Sequence, residues 1–177
     1  MRIPILNGTT ILLAGMVLTA GDAEGVPLSD SKSAIMPITA KVIAPVIIQK
    51  LSDLSFGKIA PAASGAASVV QVPLSGPRTI TVANGATLTG GSWTPAKFQI
   101  SGNAGLAVTI TFPTKSYSLK HSSGAPNMNM VLETPTTPMV LATGWNEITV
   151  GGNLTVAAGQ VPGIYTSNAI QITVNYQ

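Results

Sequence analysis

The feature that most constrains this chain is a repeated alternation of apolar and polar residues. The clearest case is the C-terminus, where Ile170, Ile172, Val174 and Tyr176 alternate with Gln171, Thr173, Asn175 and Gln177. Successive side chains of a β-strand point to opposite faces, so this strand has one apolar and one polar face. No stretch repeats its apolar residues at helical spacing over two or more turns. The pattern therefore predicts an all-β fold whose apolar faces are buried between two sheets.

The remaining candidate strands are short and are separated by glycine and proline. They cover residues 38–48, 53–59, 68–72, 78–82, 97–101, 107–112, 116–121, 128–133, 147–150 and 153–157. Such spacing predicts a β-sandwich or barrel of about seven to ten short strands. The pairs Gly90-Gly91 and Gly151-Gly152 are interpreted as tight turns between strands.

The N-terminus has the order of features found in a secretory signal peptide. Arg2 is followed by the apolar run Ile11–Ala20 and by small residues that end at Ala23. The run is too short to stay in a bilayer, which needs about 20 apolar residues. We predict a signal peptide over 1–23, a flexible segment over 24–36 and a β-sandwich domain over 37–177. The mature protein, without a transmembrane span, is expected in the periplasm, at the surface or outside a Gram-negative bacterium.

Composition excludes several classes of chemistry. The chain has no cysteine, so it has neither disulfides nor thiolate metal sites nor cysteine nucleophiles. Only 8% of residues are charged, and the lysines and Arg78 are spread along the chain, which suits solvated positions. A nucleic-acid binder needs basic residues clustered on one face, so we expect no nucleic-acid partner.

Few residues are suited to catalysis. The single histidine, His121, ends a predicted strand beside a Ser-Gly turn, where a solvated side chain is expected. A glycosidase needs two carboxyl groups roughly 5–10 Å apart. Asp53, Glu133 and Glu147 are the candidates, and no local motif supports them. We predict that the protein is not an enzyme and has no cofactor and no metal site.

Two tryptophans follow glycine-containing loops. Trp93 lies after Gly90-Gly91, and Trp145 lies after Gly144. Exposed indoles on loops stack on sugar rings, whereas buried ones cover the end of a core. The first interpretation makes Trp93 and Trp145 glycan contacts of a secreted binding module, which is our alternative function.

Two short motifs carry a resemblance to known families. Leu54-Ser55-Phe56-Gly57 lies near the start of the domain, and Gly163-Ile164-Tyr165 precedes Val174-Asn175-Tyr176 at its end. With the leader, their order resembles the bacterial exported family of domain of unknown function 4402. The ends are more loosely similar to spore-coat-U-like pilins of the archaic chaperone–usher pathway. That resemblance implies an immunoglobulin-like sandwich and a role in fimbriae. The chain departs from the pilins in lacking a disulfide and in having Thr166-Ser167 where an acid is common.

The pilin resemblance implies a mode of assembly. A pilin subunit lacks one strand, and a neighbour's N-terminal segment supplies it. We therefore expect a cell-surface structural or adhesive subunit that associates with itself or with other pilin-like subunits, aided by a periplasmic chaperone and an outer-membrane usher. In the segment 24–36, Val26, Leu28 and Ile35 are the candidate exchanged residues, and their alternation is weak. Residues 38–48 alternate better, but their exchange would remove the domain's own first strand, so the donor stays open here.

Overall fold

A computed structural model of the chain describes residues 32–167 and 170–177. The predicted signal peptide, residues 1–23, lies outside the described residues, as do Val26 and Leu28. The chain divides into two units, Met1–Ala40 and Lys41–Gln177. In the first unit, the described residues 32–40 are exposed and form neither helix nor strand.

The described residues form thirteen strands and no helix. The strands are β1 (Ile47–Ser52), β2 (Ile59–Ala60), β3 (Ser68–Val72), β4 (Thr79–Val82), β5 (Thr87–Leu88), β6 (Ala96–Ser101), β7 (Ala107–Thr111), β8 (Ser116–His121), β9 (Met128–Glu133), β10 (Met139–Val140), β11 (Asn146–Val156), β12 (Tyr165–Thr166) and β13 (Thr173–Tyr176). No part of the chain that the structure describes is a helix able to span a membrane.

The strands pair in three sheets, and every pairing is antiparallel. The main sheet has the order β1-β6-β11-β9-β8-β12, and β3 joins it by pairing with both β11 and β4. A second sheet has the order β10-β7-β13, and β2 pairs with β5. The predicted all-β sandwich class is confirmed, with thirteen strands, several of two residues, in place of seven to ten.

Strand β11 is the centre of the main sheet. Its first half pairs with β6, where Val150 lies opposite Ala96. Its second half lies between β3 and β9, where Gly152 is opposite both Val72 and Leu132. One strand thus connects three others that are far apart in sequence.

The core lies between the main sheet and the β7 sheet. On β6 and β11, alternate residues are buried, as period two requires. They contact the apolar residues of β7, so both sheets contribute to one cluster. Its fully buried members include Val70, Val72, Ile100, Val108, Leu141, Val150 and Val156.

Three predictions about strands are wrong. Residues 38–46 form no strand, and β1 begins only at Ile47, because the earlier residues have no strand to pair with among those described. The predicted strand 53–59 is reduced to a bridge between Ser55 and Thr94 and the first residue of β2. Gly151-Gly152 is not a turn but the middle of β11. A Cβ on Gly151 would overlap the carbonyl oxygen of Val72, so close packing, rather than chain reversal, requires glycine there.

Candidate functional site

An apolar groove opens on the surface of the unit Lys41–Gln177. One cavity of about 400 Å³ lies between the end of β1 and the chain around β12. A second cavity of about 680 Å³ adjoins it. Both are lined by Leu54, Phe56, Leu119 and Tyr165, and we call the two together the groove.

The floor of the groove is the core itself. Phe98, Leu119 and Met130 line the first cavity, and each belongs to the buried cluster between the sheets. Their exposed fractions are 8%, 9% and 3%. A side chain that entered the groove would therefore pack directly against the core.

The first wall of the groove, residues 47–60, is hydrogen-bonded along one side. β1 pairs with β6, Ser55 exchanges bonds of 2.8 and 3.0 Å with Thr94, and β2 pairs with β5. Among the described residues, no strand pairs with the opposite edge of this wall. Its inward side chains, Leu54 and Phe56, point into the groove.

Arg78 holds the first wall in place. Its Nη1 donates to the carbonyl oxygen of Phe56 and, at 3.4 Å, to that of Lys58. Its Nη2 donates to the carbonyl oxygen of Gly90 at 3.4 Å. The prediction that Arg78 is solvated is wrong, because main-chain carbonyls draw the half-buried guanidinium inward. Gly57, at φ +68°, makes the bend that brings these carbonyls together.

The second wall consists of residues 160–167 and Ile170, and His121 fastens it to β8. His121 Nε2 donates to the carbonyl oxygen of Pro162 at 3.2 Å, while its Nδ1 accepts from the Ser123 N–H at 3.1 Å. Its ring centroid lies 4.7 Å from that of Tyr165. The prediction of a solvated His121 is wrong, since only 9% of it is exposed. A Cβ at Gly163 would overlap the imidazole, so this contact requires glycine.

Tyr165 fixes the second wall from within. Its hydroxyl donates to the carbonyl oxygen of Val161 at 2.8 Å and accepts from Gln160 Nε2 at 2.8 Å. Among the described residues, β12 pairs only with β8, and β13, which follows along the chain, pairs only with β7. β1 in the first wall and β12 in the second are therefore the two end strands of the main sheet, each with a partner on one side among the described residues.

Ahead of β1, the chain is tethered at Ala44. The Ala44 N–H donates to Asn103 Oδ1 at 3.0 Å, and its carbonyl oxygen accepts from the Tyr176 hydroxyl at 2.9 Å. Residues before the tether are exposed, with exposed fractions of 94% for Val42 and 87% for Ile38. Ile35, predicted as an exchanged residue, is 95% exposed.

The two tryptophans differ in their surroundings. Trp93 is half-buried and packs against the core. Trp145 is 51% exposed beside Gly144, one residue before β11. Trp145 is thus the more exposed of the two tryptophans.

The candidate catalytic carboxylates each have a polar partner. Asp53 lies 2.7 Å from Lys50 Nζ, and Glu147 lies 2.7 Å from Lys97 Nζ. Glu133 Oε2 accepts from the amide of Gln71 at 2.9 Å. Within residues 32–167 and 170–177, no cluster of three or more His, Asp or Glu could hold a metal ion.

Sequence reasoning found several lining residues but not the groove. Leu54, Phe56 and Tyr165 belong to the two motifs that carry the family resemblance, and all three line the groove. The groove exists because no described strand pairs with both of the segments that carry these residues. Pairing between strands that are distant in sequence has no local signal. Gly152 is a further contributor, since a Cβ there would lie 3.2 Å from Phe56 Cζ.

Comparison with known proteins identifies the domain that contains this groove. Residues 46–176 match the model of the family described as Domain of unknown function (DUF4402). No significant match was found among curated proteins or among solved structures. The matched region starts one residue before β1 and spans both walls of the groove. The chain therefore belongs to the DUF4402 family.

Proposed function

We propose that this protein is an exported cell-surface subunit, structural or adhesive, that assembles into fimbria-like polymers by β-strand addition. A strand from another subunit occupies the groove. The observation that carries the proposal is a groove that opens onto the core between β1 and β12, the two end strands of the main sheet, each paired on one side only among the described residues.

The energetics favour a strand as the occupant. A strand between the two walls gains main-chain hydrogen bonds on both of its edges, which an unpaired edge otherwise leaves to water. Its alternate side chains meet the floor, where Phe98 and Met130 are core residues. Each large apolar side chain so buried contributes about 1.5–3 kcal/mol. Four or five of them approach the stability of a whole domain, roughly 5–15 kcal/mol.

The motifs behind the pilin resemblance support the same site. Leu54-Ser55-Phe56-Gly57 lies along the first wall, and Gly163-Ile164-Tyr165 lies along the second. Two motifs distant in sequence thus line one cavity, as expected if they serve a common purpose. The predicted leader, residues 1–23, supports export, and a periplasmic chaperone and an outer-membrane usher are the partners this assembly route requires.

Electrophoresis of unheated cell-surface extract tests the proposal. We expect a ladder of bands that collapses to a monomer on heating, since strand addition is non-covalent. Thr166, exposed on the groove lining, is substituted in the variant Thr166→Trp, which fills the groove and should shorten the ladder. Thr155→Trp makes the same change at an exposed position of β11 outside the groove and should leave it intact. A monomer band alone from the unsubstituted protein would contradict the proposal.

A second candidate function, glycan binding, is favoured by the exposed indole of Trp145. A flat indole face stacks on the apolar face of a sugar ring. In a pull-down on insoluble polysaccharides, the unsubstituted protein should be retained and Trp145→Ala should elute with the wash. If the unsubstituted protein is not retained on any polysaccharide, this second function is discarded.

A further inference from the structure

We infer that the exchanged strand is residues 38–44 of a second copy of this chain. The inference rests on the proposed function and deepens it, because it names both the partner and the segment that enters the groove. Four observations lead to it: the pattern of the segment, its exposure, the place where the domain's own sheet begins and the geometry at Pro45.

The segment 38–44 has the pattern that the groove requires. Ile38, Ala40, Val42 and Ala44 recur at every second position, so one face of the extended segment is apolar. Pro37 and Pro45 bound the segment, and all seven residues between them carry the N–H that a central strand needs on its edges. At about 3.3 Å per residue, such a strand is roughly 23 Å long.

The domain loses no strand when it donates this segment. Its own sheet begins at Ile47, and residues 38–44 are exposed. The exposed fractions of Ile38 and Val42, 87% and 94%, leave their apolar surface almost wholly in water. The objection that exchange of this segment removes the first strand therefore does not hold.

The segment further upstream is a weaker donor. Between Leu28 and Ile35 the chain reads Ser-Asp-Ser-Lys-Ser-Ala, so polar residues occupy both faces of an extended chain. Asp30 and Lys32 lie on the same face, so one orientation would place two charges in the floor, and the other would place Ser29, Ser31 and Ser33 there. The floor, which is made of Phe98, Leu119 and Met130, offers them no partner.

The geometry at Pro45 favours exchange over insertion into the same molecule's groove. To lie beside its own β1, the segment would have to form a hairpin whose two-residue loop is Pro45-Val46. Such loops need a positive φ at their first position, and proline is fixed near −65°. Both main-chain groups of Ala44 are also held, by Asn103 and Tyr176. The segment of a second copy needs no such hairpin, and the same two bonds hold its Ala44 to its own domain at the point where the segment leaves it.

Disulfide cross-linking tests this inference, and the absence of cysteine from the chain removes any background. The full-length protein is prepared as single-cysteine variants. Ser52→Cys places a thiol on β1, where the native side chain lines the groove. Donor variants are Ala40→Cys and Val42→Cys, and one partner carries a tag so that the mixed dimer has its own mobility. After oxidation, we expect the mixed dimer from at least one of these two mixtures.

The matched controls are Thr39→Cys and Lys41→Cys, whose side chains point away from the floor in the same strand. They should yield at least tenfold less mixed dimer than the better of the even positions. Equal yields at odd and even positions, or cross-linking by Leu28→Cys in their place, would overturn the inference. If the unsubstituted protein forms the heat-sensitive ladder but no even position cross-links, the donor is wrong while the proposed function stands. No ladder at all overturns both.

Discussion

Truncation of Val42 and Ile38 should weaken the association between copies without changing the stability of the single molecule. The two side chains are 94% and 87% exposed, so the isolated subunit gains almost nothing from them. Val42→Ala removes two carbon atoms, and at about 0.8 kcal/mol each the complex loses roughly 1.6 kcal/mol. Since about 1.4 kcal/mol is a factor of ten, association should weaken roughly 15-fold.

The same arithmetic gives a graded series. Ile38→Ala removes three carbon atoms, so association should weaken by about 2.4 kcal/mol, or roughly 60-fold. The two positions are about 13 Å apart along an extended strand, so their effects should add, to roughly a thousandfold in the double variant. Thr39→Ala, on the opposite face, serves as the control and should leave association nearly unchanged.

Sedimentation equilibrium over a range of protein concentrations measures the association, and thermal melting of dilute monomer measures the stability. The argument fails if Val42→Ala lowers the melting temperature of the monomer, because Val42 would then belong to the subunit's own core. It also fails if Thr39→Ala weakens association as much as Val42→Ala does, since the buried face would then be the other one.

Three further predictions concern the framework of the groove. Gly151→Ala should lower the free energy of unfolding by about 1–3 kcal/mol in chemical denaturation, because the added methyl group overlaps a carbonyl oxygen of β3; an unchanged midpoint would show that β11 shifts freely. Gly163→Ala should destabilise the protein through its overlap with His121, and much less so in the variant that also carries His121→Ala; strictly additive losses in this double-mutant cycle would refute that contact. Tyr176→Phe removes the hydroxyl that bonds Ala44 and should reduce stability by about 1–2 kcal/mol. Limited proteolysis near Ala44 should become faster in the same variant, and an unchanged cleavage rate would argue against the tether.

Local patterns predicted strands well wherever the alternation is clean and flanked by turn residues. Three strands, Ser68–Val72, Ser116–His121 and Met128–Glu133, have the predicted bounds. Residues 38–46 alternate equally well and form no strand. Alternation indicates that a segment is suited to a sheet, but it does not show which strands pair with it. Among the described residues, no strand pairs with this segment.

The candidate site was less predictable because it depends on contacts between distant segments. Arg78 and His121 were expected in solvent, yet each is held by main-chain carbonyl oxygens, of Phe56 and of Pro162. A carbonyl acceptor has no side-chain signature, so no motif announces such a contact. Gly151-Gly152 resembles a turn in the sequence because the contact that requires glycine is made with β3, a strand far away in the chain.

The position of β11 determines when the main sheet can form. β3 and β9 both hydrogen-bond to its second half, and β6 bonds to its first half. β11 starts at Asn146, so most of the chain must leave the ribosome before these three strands have their common partner. Folding that depends on such distant pairings is slow. Slow closure of the main sheet would suit the proposed export, because a narrow translocation channel admits only an unfolded chain.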